Sequence, residues 1–124
     1  MTVHFTEREL DVMAVLWSQE SATVAEVKER LDVDLAYTTV LSMLRILEEK
    51  GHVGHRDEGK AYRYFARVGR EAAAESALDR LKSKIFGGSA ELLLTQMVTD
   101  RDLSREQLER LRDLMDERLG RGEP

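Results

Sequence analysis

Hydrophobic residues recur every three or four positions through most of this chain, which is the spacing of an amphipathic helix. The first such stripe consists of Leu10, Met13, Ala14 and Trp17. Thr6 and Glu9 have the spacing of a capping box, and Phe5 lies where a hydrophobic staple requires it. We therefore expect a helix from about residue 6. Trp17 is expected to pack in the core, with ligand stacking as the alternative.

Two further helices should follow closely. Thr23 and Glu26 repeat the capping-box spacing ahead of a short apolar stripe. A longer helix from about Ala36 then ends at Gly51, and its apolar face holds Val40, Leu41, Leu44 and Leu47. Two helices so close together predict a helix-turn-helix pair, whose second member enters the DNA major groove.

The opposite face of this longer helix has an unusual polar composition. Thr38, Ser42 and Arg45 follow one another at helical spacing, and Tyr37 and Thr39 flank them. Short hydroxyls and an arginine can meet base edges or phosphates, whereas a solvated helix face more often carries Glu and Lys. We therefore predict DNA contact. The alternative is that the Thr and Ser side chains only cap or back-bond the helix.

A basic hairpin is predicted directly after this helix. Residues 53–56 and 61–65 favour β-structure, and residues 57–60 have the glycine and acidic residues of a turn. Helix followed by hairpin is the arrangement of a winged helix. Its cations would hold the sugar-phosphate backbone beside the helix, and the candidates are His55, Arg56, Lys60 and Arg63.

The composition after Val68 favours helix, and three leucine-rich helices are expected there. Gly87, Gly88 and Ser89 should separate the first two, and Ser104 with Gln107 should start the third. Such short helices cannot bury their apolar residues alone, so we expect homodimerisation; folding back on the winged helix is the alternative. The predicted dimerisation residues are Leu78, Leu81, Ile85, Phe86, Leu92, Leu93, Met97, Leu108, Leu111 and Met115.

The predicted fold is therefore mainly α with a small β-hairpin wing. It comprises a winged helix-turn-helix DNA-binding domain over residues 1–68 and a C-terminal helical dimerisation region over residues 69–124.

Composition limits the other functional classes. The 124 residues include no cysteine and no apolar run of the roughly 20 residues that a membrane span needs. Met1–Phe5 lead straight into a helix cap, so we expect no signal peptide. Because cysteine is absent as well, we expect a cytoplasmic protein with no membrane insertion. His4, His52 and His55 are the only histidines, and no phosphate loop or activated serine is evident. The sequence thus predicts no metal site, no cofactor and no enzymatic activity.

The net charge of -5 is unexpected for a DNA-binding protein. Residues 36–68, however, hold six Lys/Arg against four acids, a local charge of +2 that leaves -7 for the rest. The cations are thus concentrated where DNA contact is predicted, and the acidic remainder would limit non-specific binding.

Several short motifs together resemble the penicillinase-repressor (BlaI/MecI) family of winged-helix repressors. They are the opening helix over residues 6–17, Tyr37-Thr38-Thr39-Val40-Leu41, Lys50-Gly51-His52-Val53, Tyr62-Arg63-Tyr64, Phe86-Gly87-Gly88-Ser89 and Asp102-Leu103-Ser104. The resemblance spans nearly the whole chain, and it is the order and spacing of the motifs that make it specific. The cysteine motif of the family's copper-responsive members is absent.

This resemblance implies a repressor of resistance genes that is inactivated by cleavage when a membrane-bound sensor-protease signals. The Asn-Phe pair cut in family members corresponds here to Gln96-Met97. Leu35 replaces the family's tryptophan before the recognition helix, and Tyr37 and Thr38 stand where proline or lysine is found. We therefore expect a different base preference.

The function expected is that of a dimeric transcriptional repressor on a palindromic double-stranded DNA operator of antibiotic-resistance or cell-envelope-stress genes. Two alternatives remain, namely a winged helix that contacts proteins and a regulator that senses a small molecule.

Overall fold

A computed structural model describes residues 3–120 of the chain. The elements in chain order are α1 (Glu7–Gln19), β1 (Ser21–Thr23), α2 (Val24–Arg30), α3 (Tyr37–Glu49), β2 (Val53–Glu58), β3 (Ala61–Ala66), α4 (Arg70–Ile85), α5 (Ala90–Val98) and α6 (Arg105–Gly120). The strands form an antiparallel sheet in the order β1-β3-β2. A helical protein with a small sheet and a β2-β3 wing confirms the predicted fold class.

Reciprocal side-chain caps start three helices at the predicted residues. In α1, the Thr6 hydroxyl accepts from the Glu9 backbone N–H, and the Glu9 carboxylate accepts from the Thr6 N–H. The same exchange joins Thr23 and Glu26 at α2. At α6, the Ser104 hydroxyl and the side-chain oxygen of Gln107 cap in the same way. Each exchange satisfies backbone donors that a helix start leaves unpaired.

The strands differ from the prediction in two respects. Residues 21–23 lead into α2, but they also form the short strand β1, which pairs with β3 through Ala22 and Tyr64. The predicted four-residue turn is wrong as well. Asp57 and Glu58 extend β2, and only Gly59 and Lys60 connect the strands. Gly59 has a φ of 64°, which is the left-handed conformation that so tight a turn requires.

The core of the winged helix lies between α1, α2, α3 and the sheet. Its largest fully buried side chains are Val12, Met13, Leu16, Val27, Val40, Leu44, Leu47, Val53 and Tyr64. The apolar stripe of α3 therefore faces inward, as predicted, although Leu41 is only partly buried. Trp17 packs against this core, and its indole N–H donates to the Val68 carbonyl at 2.8 Å. This geometry confirms core packing for Trp17.

The first compact unit extends further than residue 68. It ends at Leu78 and so includes the first turns of α4. Ala73 is buried in the core, and the Ser76 hydroxyl donates to the Val3 carbonyl. The small side chains at the start of α4 permit this packing, which sequence periodicity alone did not reveal.

The second unit begins at Asp79 and contains the end of α4 with α5 and α6. The Gly88 N–H donates to the Lys82 carbonyl at the end of α4, and the Ser89 hydroxyl caps α5, as its sequence predicts. Within residues 79–120 no side chain is buried. The leucines of this unit therefore lack a core of their own in the single chain.

Candidate nucleic-acid interface

The predicted reading face of α3 is exposed along its length. Tyr37, Thr38, Thr39, Ser42 and Arg45 are all solvent-exposed. They stand opposite the buried stripe of the same helix, whose packing fixes the face that α3 presents outward. Tyr37 is the first residue of α3 and is 49% exposed. A large aromatic ring is therefore accessible at the N-terminal end of the helix, which would enter a DNA groove first.

The hydroxyl groups on this face are not used to hold the helix. The N-cap of α3 is Ala36, and no side chain caps it. Among the described residues, Thr38, Thr39 and Ser42 form no side-chain hydrogen bond, whereas Thr95 and Thr99 in the region of α5 do donate to backbone carbonyls. The capping or back-bonding interpretation is therefore not what this structure shows. These three hydroxyls can accept and donate outward.

Two cations of the β2-β3 wing are exposed. Arg56 in β2 and Lys60 in the turn both face solvent, and neither has a hydrogen bond or ion pair to another described residue. Arg56 lies directly opposite Arg63 in the pairing of β2 with β3. Exposed cations on a hairpin are suited to phosphate contact, which carries affinity but little sequence information.

His55 is turned toward α3 rather than toward solvent. Its Nδ1 lies 2.7 Å from Oε2 and 2.9 Å from Oε1 of Glu48. Its ring stacks on Tyr62 with a centroid distance of 4.2 Å. Nδ1 is thus occupied, and a phosphate contact from His55 would have to use Nε2. The sequence suggested a phosphate-binding histidine, and the structure shows it joining the wing to α3.

Arg63 is likewise committed to protein partners. Its Nε and Nη2 donate to the Glu58 carboxylate at 2.6 and 2.9 Å, and its Nη1 donates to Glu26 at 3.1 Å. Hydrogen bonding to Glu58 raises the pKa of Arg63 above its usual range. The same bonds lower the pKa of Glu58, and the Thr23 backbone N–H together with Arg63 lowers that of Glu26. All three groups are therefore charged at neutral pH.

Two exposed residues in and after β3 were not among the predicted DNA-binding residues. Tyr62 is 46% exposed and covers the His55 ring at the junction of wing and α3. Arg67 is exposed and lies over the Phe65 ring, with its guanidinium carbon 5.6 Å from the ring centroid. Alternation along β3 could have placed Tyr62 beside the buried Tyr64. Nothing local in the sequence pairs Arg67 with Phe65.

Other kinds of site find little support within residues 3–120. No cluster of His, Cys, Asp and Glu there could hold a metal ion. An open depression of about 350 Å³ lies between α1 and residues 30–33, and it is lined by Val15, Gln19, Arg30 and Val33 among others. It is open to solvent, unlike the enclosed apolar pockets that retain small ligands. No helix among the described residues is long and apolar enough to span a bilayer.

The predicted dimerisation residues are accessible in the single chain. Leu78, Leu81, Ile85, Leu92, Met97, Leu108 and Met115 are exposed, while Phe86, Leu93 and Leu111 are partly buried. The predicted cleavage pair, Gln96 and Met97, is also exposed and lies in the last turn of α5.

Comparison with known proteins agrees with this geometry. The penicillinase repressor family model matches residues 5–117. The methicillin resistance regulatory protein MecI of Staphylococcus aureus is 21% identical over 94% of this chain and 97% of its own length. The penicillinase repressor of Bacillus licheniformis is 24% identical over 94% of this chain and 92% of its own length. The transcriptional regulator BlaI of Mycobacterium tuberculosis is 38% identical over 70% of this chain and 66% of its own length.

Solved structures place the fold among DNA-binding regulators. The DNA-binding domain of the repressor BlaI has a TM-score of 0.52 at 27% identity, covering 58% of this chain and 90% of that domain. The fold is shared with MarR from E. coli in complex with operator DNA, at a TM-score of 0.53 and 18% identity over 93% of this chain and 76% of that one. With the family model matching nearly its whole length, the chain belongs to the penicillinase repressor family of transcriptional repressors.

Proposed function

We propose that this protein represses transcription by binding, as a homodimer, to a double-stranded DNA operator with two inverted half-sites. The observation that carries the proposal is the exposed face of α3, where Thr38, Thr39 and Ser42 have unused hydroxyls. This face lies on the helix that follows the short α2, in the position of a recognition helix. A helix that reads bases in the major groove needs hydrogen-bond donors and acceptors on short, exposed side chains, and these three hydroxyl residues supply them.

We assign different roles to the two groups of side chains. Thr38, Thr39 and Ser42 read bases, and the exposed Tyr37 packs against the groove at the start of α3. Arg45, Arg56 and Lys60 hold phosphates. His55 orients the wing through Glu48, and its free Nε2 is available to the backbone of the DNA. We base these roles on the exposure of each side chain and on its hydrogen-bond and ion-pair partners. Only an exposed side chain without an ion pair can contact DNA without breaking a contact within the protein.

Dimerisation through the second unit is supported by its exposed apolar surface. Ile85 is 68% exposed and Leu92 is 56% exposed, although burial of such a side chain stabilises by roughly 1.5 to 3 kcal/mol. A second copy of the same helices would cover these residues. Two-fold symmetry would then present two α3 helices to inverted half-sites. Coupling two weak readers in this way can raise apparent affinity by roughly 10² to 10⁴.

Relief of repression by proteolysis fits the position of Gln96-Met97. The pair is exposed in the last turn of α5, where the Gln96 carbonyl accepts from the Thr99 hydroxyl at 3.0 Å. A protease needs this turn to unwind, which is easiest at a helix end. Cleavage there would separate α6 from the rest of the dimerisation region. We assign the signal to a membrane-bound sensor-protease, by analogy with the family.

The regulated genes are proposed from the relatives. Those matched over most of this chain are regulators of methicillin resistance and of penicillinase. We therefore propose genes of antibiotic resistance or cell-envelope stress.

Selection of bound duplexes from a random-sequence library with the full chain tests the proposal. The expected product is a consensus with inverted half-sites about one helical turn apart, bound far more tightly than a shuffled duplex. Recovery of duplexes with no common sequence, or of a single unrepeated site bound by one chain, would contradict it.

A further inference from the structure

We propose that Arg63 is a positioning residue, which holds the wing against the start of α2 and does not itself contact a phosphate. The inference rests on the proposed DNA-binding function. It revises the role that the sequence suggests for this cation and assigns the grip on the phosphate backbone to its neighbours Arg56 and Lys60.

The guanidinium of Arg63 bridges two elements. Through Nε and Nη2 it forms a two-pronged contact with Glu58, the last residue of β2, at 2.6 and 2.9 Å. Through Nη1 it reaches Glu26 in the first turn of α2 at 3.1 Å. The planar fork of arginine permits both contacts at once, which a lysine ammonium could not reproduce.

The contact with Glu26 connects Arg63 to the cap of α2. The same Oε1 of Glu26 also accepts the backbone N–H of Thr23 at 2.9 Å, which is half of the capping box. Thr23 lies directly opposite Arg63 in the pairing of β1 with β3. Oε1 of Glu26 therefore joins the start of α2 to β3, the central strand of the sheet. The bonds from Arg63 to Glu58 then join β3 to the end of β2 in the wing.

The charges around Arg63 argue against a phosphate partner. Two carboxylates face the Arg63 guanidinium and take up its donors, and Arg56, which lies opposite Arg63 in the strand pairing, also lowers the pKa of Glu58 through its charge. The Arg63 side chain is only 19% exposed, while the carboxylates of Glu26 and Glu58 are about half exposed. An approaching phosphate would meet the carboxylates before the cation, and like charges repel. Arg56 and Lys60 are exposed and have no such partner among the described residues.

The first test compares DNA affinity with the carboxylate removed. The probe is a duplex recovered by the wild-type chain from the random library, and the variants are Glu58→Ala, Arg63→Ala and the double variant. Asp57→Ala is the matched control, because it removes the same charge from the adjacent wing residue, which does not pair with Arg63. A positioning role predicts that Glu58→Ala binds more weakly than Asp57→Ala. Arg63→Ala should then cost about tenfold in affinity alone and clearly less in the Glu58→Ala background, where only the contact with Glu26 remains to be lost.

A direct phosphate contact predicts the opposite pattern. Freed from Glu58, Arg63 would bind the phosphate better, so Glu58→Ala would bind at least as tightly as Asp57→Ala. Arg63→Ala would also cost more in that background than alone. Arg63→Lys supplies an independent check, because it keeps the charge but loses the fork. A positioning role predicts that Arg63→Lys loses nearly as much DNA affinity as Arg63→Ala. A DNA affinity of Arg63→Lys close to that of the wild type would overturn the proposal.

A second readout needs no DNA. Amide hydrogen exchange of the full chain reports how firmly the wing and the first turn of α2 are held. We expect Arg63→Ala to speed exchange in both segments, and Lys60→Ala to leave them unchanged. Unchanged exchange in Arg63→Ala would overturn the positioning role. If the wild-type chain binds no duplex, the proposed function fails, and the exchange result still decides the role of Arg63.

Discussion

The imidazole of His55 and the carboxylate of Glu48 join the wing to the reading helix, with Nδ1 2.7 Å from Oε2 and 2.9 Å from Oε1. Glu48 follows Arg45 by three positions on α3, and His55 also stacks on Tyr62. The wing is thereby held on the same side of α3 that carries the exposed Arg45. In the proposed complex, the base-reading side chains of α3 and the phosphate-holding side chains of the wing would thus be fixed relative to one another before DNA binds, which would lower the ordering cost of binding.

The first prediction concerns this contact. His55→Gln and Glu48→Gln should each lower the free energy of unfolding, and in urea titrations the double variant should lose less than the sum. The expected coupling is about 0.5 to 1.5 kcal/mol, because each variant replaces one partner of a partly exposed side-chain hydrogen bond. His4→Gln, at an exposed position, is the control and should have no effect. Additive losses would show that the two groups do not interact in solution.

The second prediction concerns acid stability. Glu9 is buried beside Lys50, whose Nζ lies 2.8 Å from its Oε2. Burial alone would raise the pKa of Glu9, but the bonds from Lys50 and Thr6 outweigh it and lower the pKa below the ordinary 4.5. A lowered folded-state pKa stabilises the protein above the unfolded value, and that stability is lost as pH falls through the folded value.

Lys50→Ala should therefore act in two ways. It should destabilise the protein by about 1 to 3 kcal/mol at neutral pH, because a buried carboxylate loses its charged partner. It should also move the onset of acid unfolding to higher pH, since the pKa of Glu9 rises from its wild-type level when only the Thr6 bonds remain to offset burial. Denaturant titrations across pH measure both, with the exposed Lys84→Ala as control. If the stability of Lys50→Ala fell with decreasing pH over the same range as that of the wild type, the proposed effect of Lys50 on the pKa of Glu9 would be contradicted.

The third prediction concerns Gly54 in β2. A Cβ there would lie 2.8 Å from Cζ of the Phe65 ring and 2.5 Å from Nε of Arg67. The end of Arg67 can move, but the ring is packed against the strand, so we expect Gly54→Ala to cost about 1 to 3 kcal/mol. Gly69→Ala meets nothing within 4 Å and should be neutral. Thermal melting compares them, and equal melting temperatures would show that the wing adapts freely.

Local signals in the sequence were sufficient for the helix starts and for the exposed face of α3. The caps at Thr6, Thr23 and Ser104 depend on residues three apart, and the face of α3 follows from its apolar stripe. β1 was missed because three residues show no periodicity, and Ser21–Thr23 becomes a strand only by pairing with the distant β3.

The partners of the charged side chains could not be predicted in this way. A cationic hairpin suggests phosphate contacts for every cation on it. Arg63 is held by Glu58, which the sequence placed in the turn although it ends β2, and by Glu26, which is 37 positions away. A pair at the second separation leaves no pattern in one sequence. The packing of Ala73 in the first compact unit, which ends at Leu78, is likewise a tertiary contact that has no local signal in the sequence.

The fourth prediction concerns the second unit. We propose that the chain is a dimer and that Leu92→Gln converts it to monomer in sedimentation at micromolar concentration, because this side chain is 56% exposed in the single chain and would be covered by the second copy. Unfolding of the monomer should be little affected for the same reason. Glu91→Gln, at the adjacent exposed position of α5, is the matched control and should remain dimeric. A dimeric Leu92→Gln variant would place the interface elsewhere.

The most direct test of base reading by α3 compares Thr39→Ala with Lys60→Ala on the selected duplex and on a shuffled one. We predict that Thr39→Ala loses about 1 to 3 kcal/mol on the selected duplex and little on the shuffled one. Lys60→Ala should weaken binding to both duplexes, and it should reduce the slope of log affinity against log salt concentration by about one unit per chain. Equal losses of Thr39→Ala on the two duplexes would contradict the assignment of α3 as the element that reads sequence.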